Sequence, residues 1–190
     1  MIPRSKILAC FYGPVLALCT AFATPVIADQ NNAKLASLFD QLARSPNASY
    51  AARVELQVWE IWSQHSNPEV TRFMAMGALA MRQGHLETAY QTFDHVVGIA
   101  PKFAEGWNKR ATVNYMLERF DNSMRDIEQT LALEPRHFGA LSGMGLIFDA
   151  IGNPKAAADA WEKALGVHPH IQGARQHIEN LRHLQKGRPI

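Results

Sequence analysis

Arg110 and Asn114 are the residues of this chain best suited to grip something polar. Four positions apart, they share one face of a helix, and it is the face marked as inward by Trp107 and Ala111. A guanidinium on an inward face is costly unless an acid meets it. Asp126 is the first candidate, beside the apolar Ile127 on the following helix; Asp121 and Glu128 are others. Two readings follow. Either Arg110 is a structural ion pair whose stem packs while its head reaches water, or Arg110 and Asn114 form a polar ligand site. The ion-pair reading predicts that Arg110→Ala lowers the melting temperature.

The other chemistry on offer is thin. His168-Pro169-His170 is the closest histidine pair, but zinc needs three or four converging ligands and no third stands near in sequence. Surface histidines at a repeat junction are the preferred reading, and a metal-binding protein or enzyme is the alternative. Ser142-Gly143-Met144-Gly145 lacks the strand that precedes a phosphate-cradling loop. No spacing assembles serine, histidine and acid for catalysis. The expectation is a non-enzyme with no cofactor, no metal and no small-molecule substrate. Both cysteines, Cys10 and Cys19, stand near the start, so the rest of the chain has neither a thiolate nor a disulfide.

The elements that position these residues repeat. Lines of 34 residues beginning at Val70, Ala104 and Phe138 agree column by column. Phe73, Trp107 and Leu141 align, then Met76, Arg110 and Met144, then Gly77, Ala111 and Gly145. Gly84 and Gly152 coincide with Glu118 between them, Phe93, Ile127 and Trp161 follow, and Pro101, Pro135 and Pro169 close the lines. Each line reads as two helices around a turn. Asn67-Pro68 caps the first start, and Gly84 supplies the left-handed turn. The inward stripe of the first helix is Phe73, Met76, Gly77 and Ala80. The small residues at 77, 111 and 145 let paired helices approach closely.

Before the repeats come two amphipathic helices. One carries Leu35, Leu38, Phe39 and Leu42 and is stopped by Ser45-Pro46-Asn47; the other runs from Ala48 to about His65 with Val54, Val58, Trp59 and Trp62. Residues 29–69 fit the 34-residue frame weakly and read as a degenerate leading repeat covering the exposed end of the stack. After the repeats (70–103, 104–137 and 138–171), residues 172–190 read as a C-terminal capping helix with Ala174, Ile178, Leu181 and Leu184 inward. Arg175, Arg182, Lys186 and Arg188 make its outer side basic.

The first 28 residues differ in kind. Arg4 and Lys6 precede an apolar run from Ile7 to about Ala23, and Val26 and Ala28 suit a cleavage site before Asp29. This predicts a secretory leader and a periplasmic protein. The rival is an uncleaved inner-membrane anchor at residues 7–23, making the chain a subunit of a membrane complex; Gly13-Pro14 and a run short of about 20 residues count against it. Of 19 basic residues, 19 − 2 = 17 lie beyond the leader and balance 17 acidic ones. A neutral body excludes broad electrostatic binding to nucleic acid.

The repeated columns resemble the tetratricopeptide repeat, whose 34-residue unit favours Leu at 7, Gly at 8, Gly at 15, Ala at 20, an aromatic at 24 and Pro at 32. Met144, Gly145, Phe148, Gly152, Ala157, Trp161, Ala164 and Pro169 carry the likeness best, and Arg110 and Asn114 depart from it. The resemblance implies an all-α, right-handed solenoid. It also implies a non-catalytic scaffold holding a protein or peptide partner in a concave groove. If positions 4, 7, 8 and 11 face the core, positions 2, 5, 9 and 12 face that groove. These are Thr71, Met74, Ala78 and Met81, then Glu105, Asn108, Thr112 and Tyr115, then Gly139, Ser142, Leu146 and Asp149. The basic clamp that some relatives close on a partner's C-terminal carboxylate is missing. Part of this lining could instead pack against the N-terminal helices.

Overall fold

The computed structural model describes residues 29–186. The leader, with Cys10, Cys19 and the expected cleavage site, lies outside the described residues, as do Arg188 and the side chain of Leu184. Among the described residues there are nine α-helices and no strand, and no helix is long and apolar enough to cross a membrane. The helices are α1 (Lys34–Ala43), α2 (Ala48–Trp62), α3 (Pro68–Arg82), α4 (Leu86–Ile99), α5 (Ala104–Met116), α6 (Phe120–Leu133), α7 (Phe138–Ala150), α8 (Pro154–Val167) and α9 (Ala174–Lys186).

Local signals set these boundaries. The Asn67 side chain accepts from the Glu69 N–H at 2.9 Å, and Asn153 accepts from Ala156 at 3.1 Å, each ahead of a proline in the first helical turn. The turns inside the repeats use a left-handed residue: Gly84 at φ 77°, Gly152 at φ 73°, and at the middle position Glu118 at φ 58°. Glycine takes that backbone freely; Glu118 holds it at a cost of order 1 kcal/mol.

Helices pair as α3 with α4, α5 with α6 and α7 with α8, and the pairs stack through α4 on α5 and α6 on α7. Close approach explains the small column. A Cβ on Gly77 would stand 2.6 Å from the Phe93 ring, and one on Gly145 would stand 2.7 Å from the Trp161 ring. Buried Ile178 and Leu181 of α9 close the far end against Ala157 and Ala158.

The N-terminal hairpin takes a different seat from the one its place in the chain predicts. Instead of stacking on α3, α2 lies across the turns that join one repeat to the next. Its core includes Leu35, Phe39, Leu42, Val54, Val58 and Trp62 together with Phe138, and Val167 and Ile171 pack against it. Along α2, Glu55 meets His168, Trp59 and Trp62 meet His137 and Phe138, and beyond its end His65 meets Phe103. Ten residues of helix span about 15 Å, so one short helix bridges three repeats.

The inward expectation for Met76 in repeat 1 changes as a result. Among the described residues nothing stacks on the leading face of α3, which exposes Met76 (51%) and Leu79 (47%), whereas Val113 and Ile147, at the position of Leu79 in repeats 2 and 3, are 0% and 2% exposed. A preceding repeat covers those two. None covers α3.

Candidate partner-binding groove

The first helices of the repeats present the concave face, but only part of it is open. Glu105 and Asn108, at groove positions 2 and 5 of the second repeat, are buried. Asn108 donates to Glu105 at 2.9 Å, and Glu105 meets Lys109 at 3.0 Å and the Nε2 of His137 at 3.1 Å. His137 is enclosed. Its Nδ1 accepts from the Ala140 N–H at 3.1 Å, leaving Nε2 to donate to the carboxylate. Its ring lies flat under Trp62, 4.1 Å between centroids. Burial alone would push the Glu105 carboxyl up; Lys109 and the His137 ring outweigh it, and the group sits below its ordinary value.

Trp59 completes the roof. Its ring edge stands where a Cβ on residue 139 would be, 2.7 Å away, so glycine is required there for α2 to dock. The lysine of the roofed row, Lys109, lies over the Trp59 ring at 5.5 Å.

Further along the same helices the face is open. A cavity of about 150 Å³ lies between α5 and α7, walled by Asn108, Thr112, Tyr115, Ser142 and Leu146 and floored by Ala111, Ser123 and Gly143. The expected groove residues of repeats 2 and 3 therefore converge, with Asp149 exposed farther along α7 and 3.4 Å from His177. Repeat 1 does not join them. Met74 is buried, packed with Val70, Phe93, Phe103 and Val113, and Met81 is packed against that core; Ala78 is half-buried. The assignment of Met74 to the groove is corrected: α5 and the Phe103 turn close over it.

Arg110 and Asn114 lie elsewhere, on the floor of a second cavity of about 450 Å³ with walls from Tyr90, Trp107, Asn122 and Arg125. Arg110 donates to both oxygens of Asp126, at 3.0 and 2.6 Å, and to Asp94 at 2.6 Å. Asn114 donates to Asp126 at 2.9 Å, and the guanidinium lies 4.7 Å over the Trp107 ring. The acids raise Arg110 above its ordinary value against the opposing effect of burial. Asp121 and Glu128 are not partners; Asp94 was not foreseen, because it belongs to the preceding repeat.

The histidines at the third junction hold the hairpin. His168 Nε2 meets Glu55 at 3.2 Å, its Nδ1 accepts from the His170 N–H at 3.2 Å, and His170 Nε2 donates to the Ser45 carbonyl at 3.0 Å. Among the described residues, no three His, Cys, Asp or Glu side chains gather as metal ligands. Sequence reasoning gave the packing of groove lining against the N-terminal helices as an alternative, which Gly139 under Trp59 bears out, but it missed His137 and its tie to Glu105 as the seam that seats α2. The only signal was His137 in the turn after Pro135, with the large Trp59-Ile61-Trp62 cluster lacking an obvious seat.

Comparison with known proteins gives a consistent result. No protein-family model matches the chain. It is 32% identical to a TPR repeat-containing protein of Rhizobium etli over 95% of this chain and 90% of that protein. It is 24% identical over 70% of its length to the small glutamine-rich tetratricopeptide repeat-containing protein 2 of Saccharomyces cerevisiae, spanning 39% of that relative. Among solved structures, the first TPR of Spaghetti (RPAP3) bound to an HSP90 peptide superposes with a TM-score of 0.60 at 18% identity, covering 63% of this chain and 94% of that one. MamA superposes with a TM-score of 0.59 at 20% identity, covering 78% and 84%.

Proposed function

The chain belongs to the tetratricopeptide-repeat proteins, and on that premise we propose that it is a non-catalytic scaffold gripping a partner's peptide segment in the open part of its concave face. The observation that carries this reading is the cavity between α5 and α7, which the hairpin leaves unroofed while covering the neighbouring row. The two buried charged clusters support it from the other side. Asp126 is held by Arg110 and Asn114, and Glu105 lies between Lys109 and His137, so the acids of both clusters are already engaged, although the Asn114 Oδ1 is buried with no hydrogen-bond partner. Similar folds bind peptides: the RPAP3 domain holds an HSP90 peptide, and a TPR domain of yeast Sti1 is in complex with an Hsp70 segment. A groove of this kind uses pre-formed helices to hold an extended partner, which limits the ordering cost of binding.

The proposed location is the periplasm, reached through the leader at residues 1–28; the support is Arg4 and Lys6, the apolar run, and Val26 and Ala28. N-terminal sequencing of the protein recovered from cells tests this. Asp29 as the first residue agrees with it, and an intact Met1 favours the anchored alternative at residues 7–23.

A photo-crosslinking amino acid at Leu146, on the open groove, and another at exposed Arg125, on the other cavity, test the binding reading. The expected result is adducts from position 146 that Tyr115→Ala abolishes. Adducts from position 125 alone would reject the groove.

A further inference from the structure

The polar groups around the open cavity have an unusual bias. Thr112 donates its hydroxyl proton to the Asn108 carbonyl at 2.9 Å, Ser142 to Phe138 at 2.8 Å and Ser123 to Ala111 at 2.8 Å. A hydroxyl has a single proton, so each of these oxygens turns only lone pairs outward. Among the described residues no lysine or arginine lines the cavity. Lys109, on the same helix as Thr112 and Tyr115, is engaged with Glu105 under the roof. The exposed acid Asp149 lies one turn beyond Leu146. A carboxylate placed here would meet no charged donor, with only the Tyr115 hydroxyl and the Asn108 amide able to donate, whereas a peptide N–H would find the Thr112 and Ser142 oxygens as acceptors.

The cavity is also small and closed at one end. About 150 Å³ is the size of an engineered protein cavity that takes a single benzene. It has room for one side chain of phenyl or isobutyl bulk, and Tyr115, Ile127 and Leu146 give it apolar walls. The Trp59 ring edge over Gly139 forms the blocked end, so a segment cannot continue into the roofed row.

We propose that this groove recognises an internal, non-acidic peptide segment that inserts one Leu, Met or Phe side chain between α5 and α7 and donates flanking N–H groups to Thr112 and Ser142, without using a C-terminal carboxylate. This rests on the groove reading above and names the class of its ligand. Recognition then depends on one apolar anchor, and substitution of that anchor by Glu removes it.

The test uses blocked pentapeptides, acetyl-Gly-Gly-X-Gly-Gly-amide with X as Leu, Phe or Glu, and a Gly-Gly-Leu peptide ending in a free carboxylate. Amide chemical shifts of the purified protein are followed by NMR. The Leu and Phe peptides are expected to move Gly139, Gly143 and Leu146, with the Glu and free-carboxylate peptides at least about tenfold weaker. Leu146→Glu, an exposed position where folding is not at stake, should abolish the shifts, and Ser142→Ala should weaken binding about threefold. Equal or tighter binding of either carboxylate peptide overturns the proposal, as does binding that Leu146→Glu leaves intact. If position 146 crosslinks a partner through Tyr115 while the blocked peptides move nothing, the ligand class is wrong and the groove stands. If both fail, the groove fails.

Discussion

Two charged clusters share helix α5, one through Arg110 and Asn114 and the other through Glu105 and Lys109, and they do different work. Arg110, Asp126, Asn114 and Asp94 tie three consecutive helices of the stack, all within the repeat array. Glu105, Lys109 and His137 instead form the seat for a hairpin that enters the chain before the repeats begin, with Trp62 stacked on the histidine. The first cluster is built on a guanidinium that stays charged at every working pH. The second depends on a carboxylate and an imidazole. One holds the array together, and the other decides how much of its concave face is available.

The sharpest way to separate them is Arg110→Ala. Removing the cation strands Asp126, which is 4% exposed, and should cost about 3 kcal/mol of global stability in urea unfolding. A loss below about 1 kcal/mol would mean that water relieves Asp126 and that the array does not rely on this pair. Gly139→Ala acts on the other cluster. Its methyl must displace the Trp59 ring, and the expected cost is about 2 kcal/mol. Hydrogen exchange should quicken in α1 and α2 while α8 and α9 keep their protection; uniform quickening would show that seam and array are one unit.

Acid should distinguish them with a smaller effect. The Glu105 carboxyl is held below its ordinary 4.5, so its contribution is present above that pH and is lost as pH falls through the lowered value. Melting temperature should therefore drop below about pH 4.5, with a change in Trp59 and Trp62 fluorescence. Glu105→Gln should cost about 1 kcal/mol at neutral pH and remove much of that acid limb. An unaltered pH profile in this variant would assign the acid sensitivity to other groups.

How much of this was legible follows the range of the interactions. The pairing of Arg110 with Asp126 could be read because both lie in one repeat frame, 16 positions apart. The glycine column could be read because the same contact recurs, with Phe93 over Gly77 and Trp161 over Gly145. Asp94 was missed although it too is 16 positions away, since nothing in the pattern says that an acid on α4 will meet a side chain of the next repeat. The seat of the hairpin was readable only as the alternative that part of the groove lining packs against the N-terminal helices. Its amphipathic stripe states that Trp59 and Trp62 must be buried, but stacking on α3 and crossing the turns bury them equally well. The choice rests on Gly139, on His137 and on the inter-repeat turns, and no local rule connects these to residue 59. The groove shrank for the same reason.

The seat of the hairpin also imposes an order in time. A repeat array whose units touch only their neighbours can begin folding at any unit and grow outward. Here Glu55 waits for His168, 113 positions later, and Ser45 waits for His170, 125 positions later. Helices α1 and α2 leave the ribosome before the repeats and yet find their place after them, and their apolar faces stay uncovered until the third repeat has formed. Closure by α2 then lays a long-range cover over a row of units that fold locally.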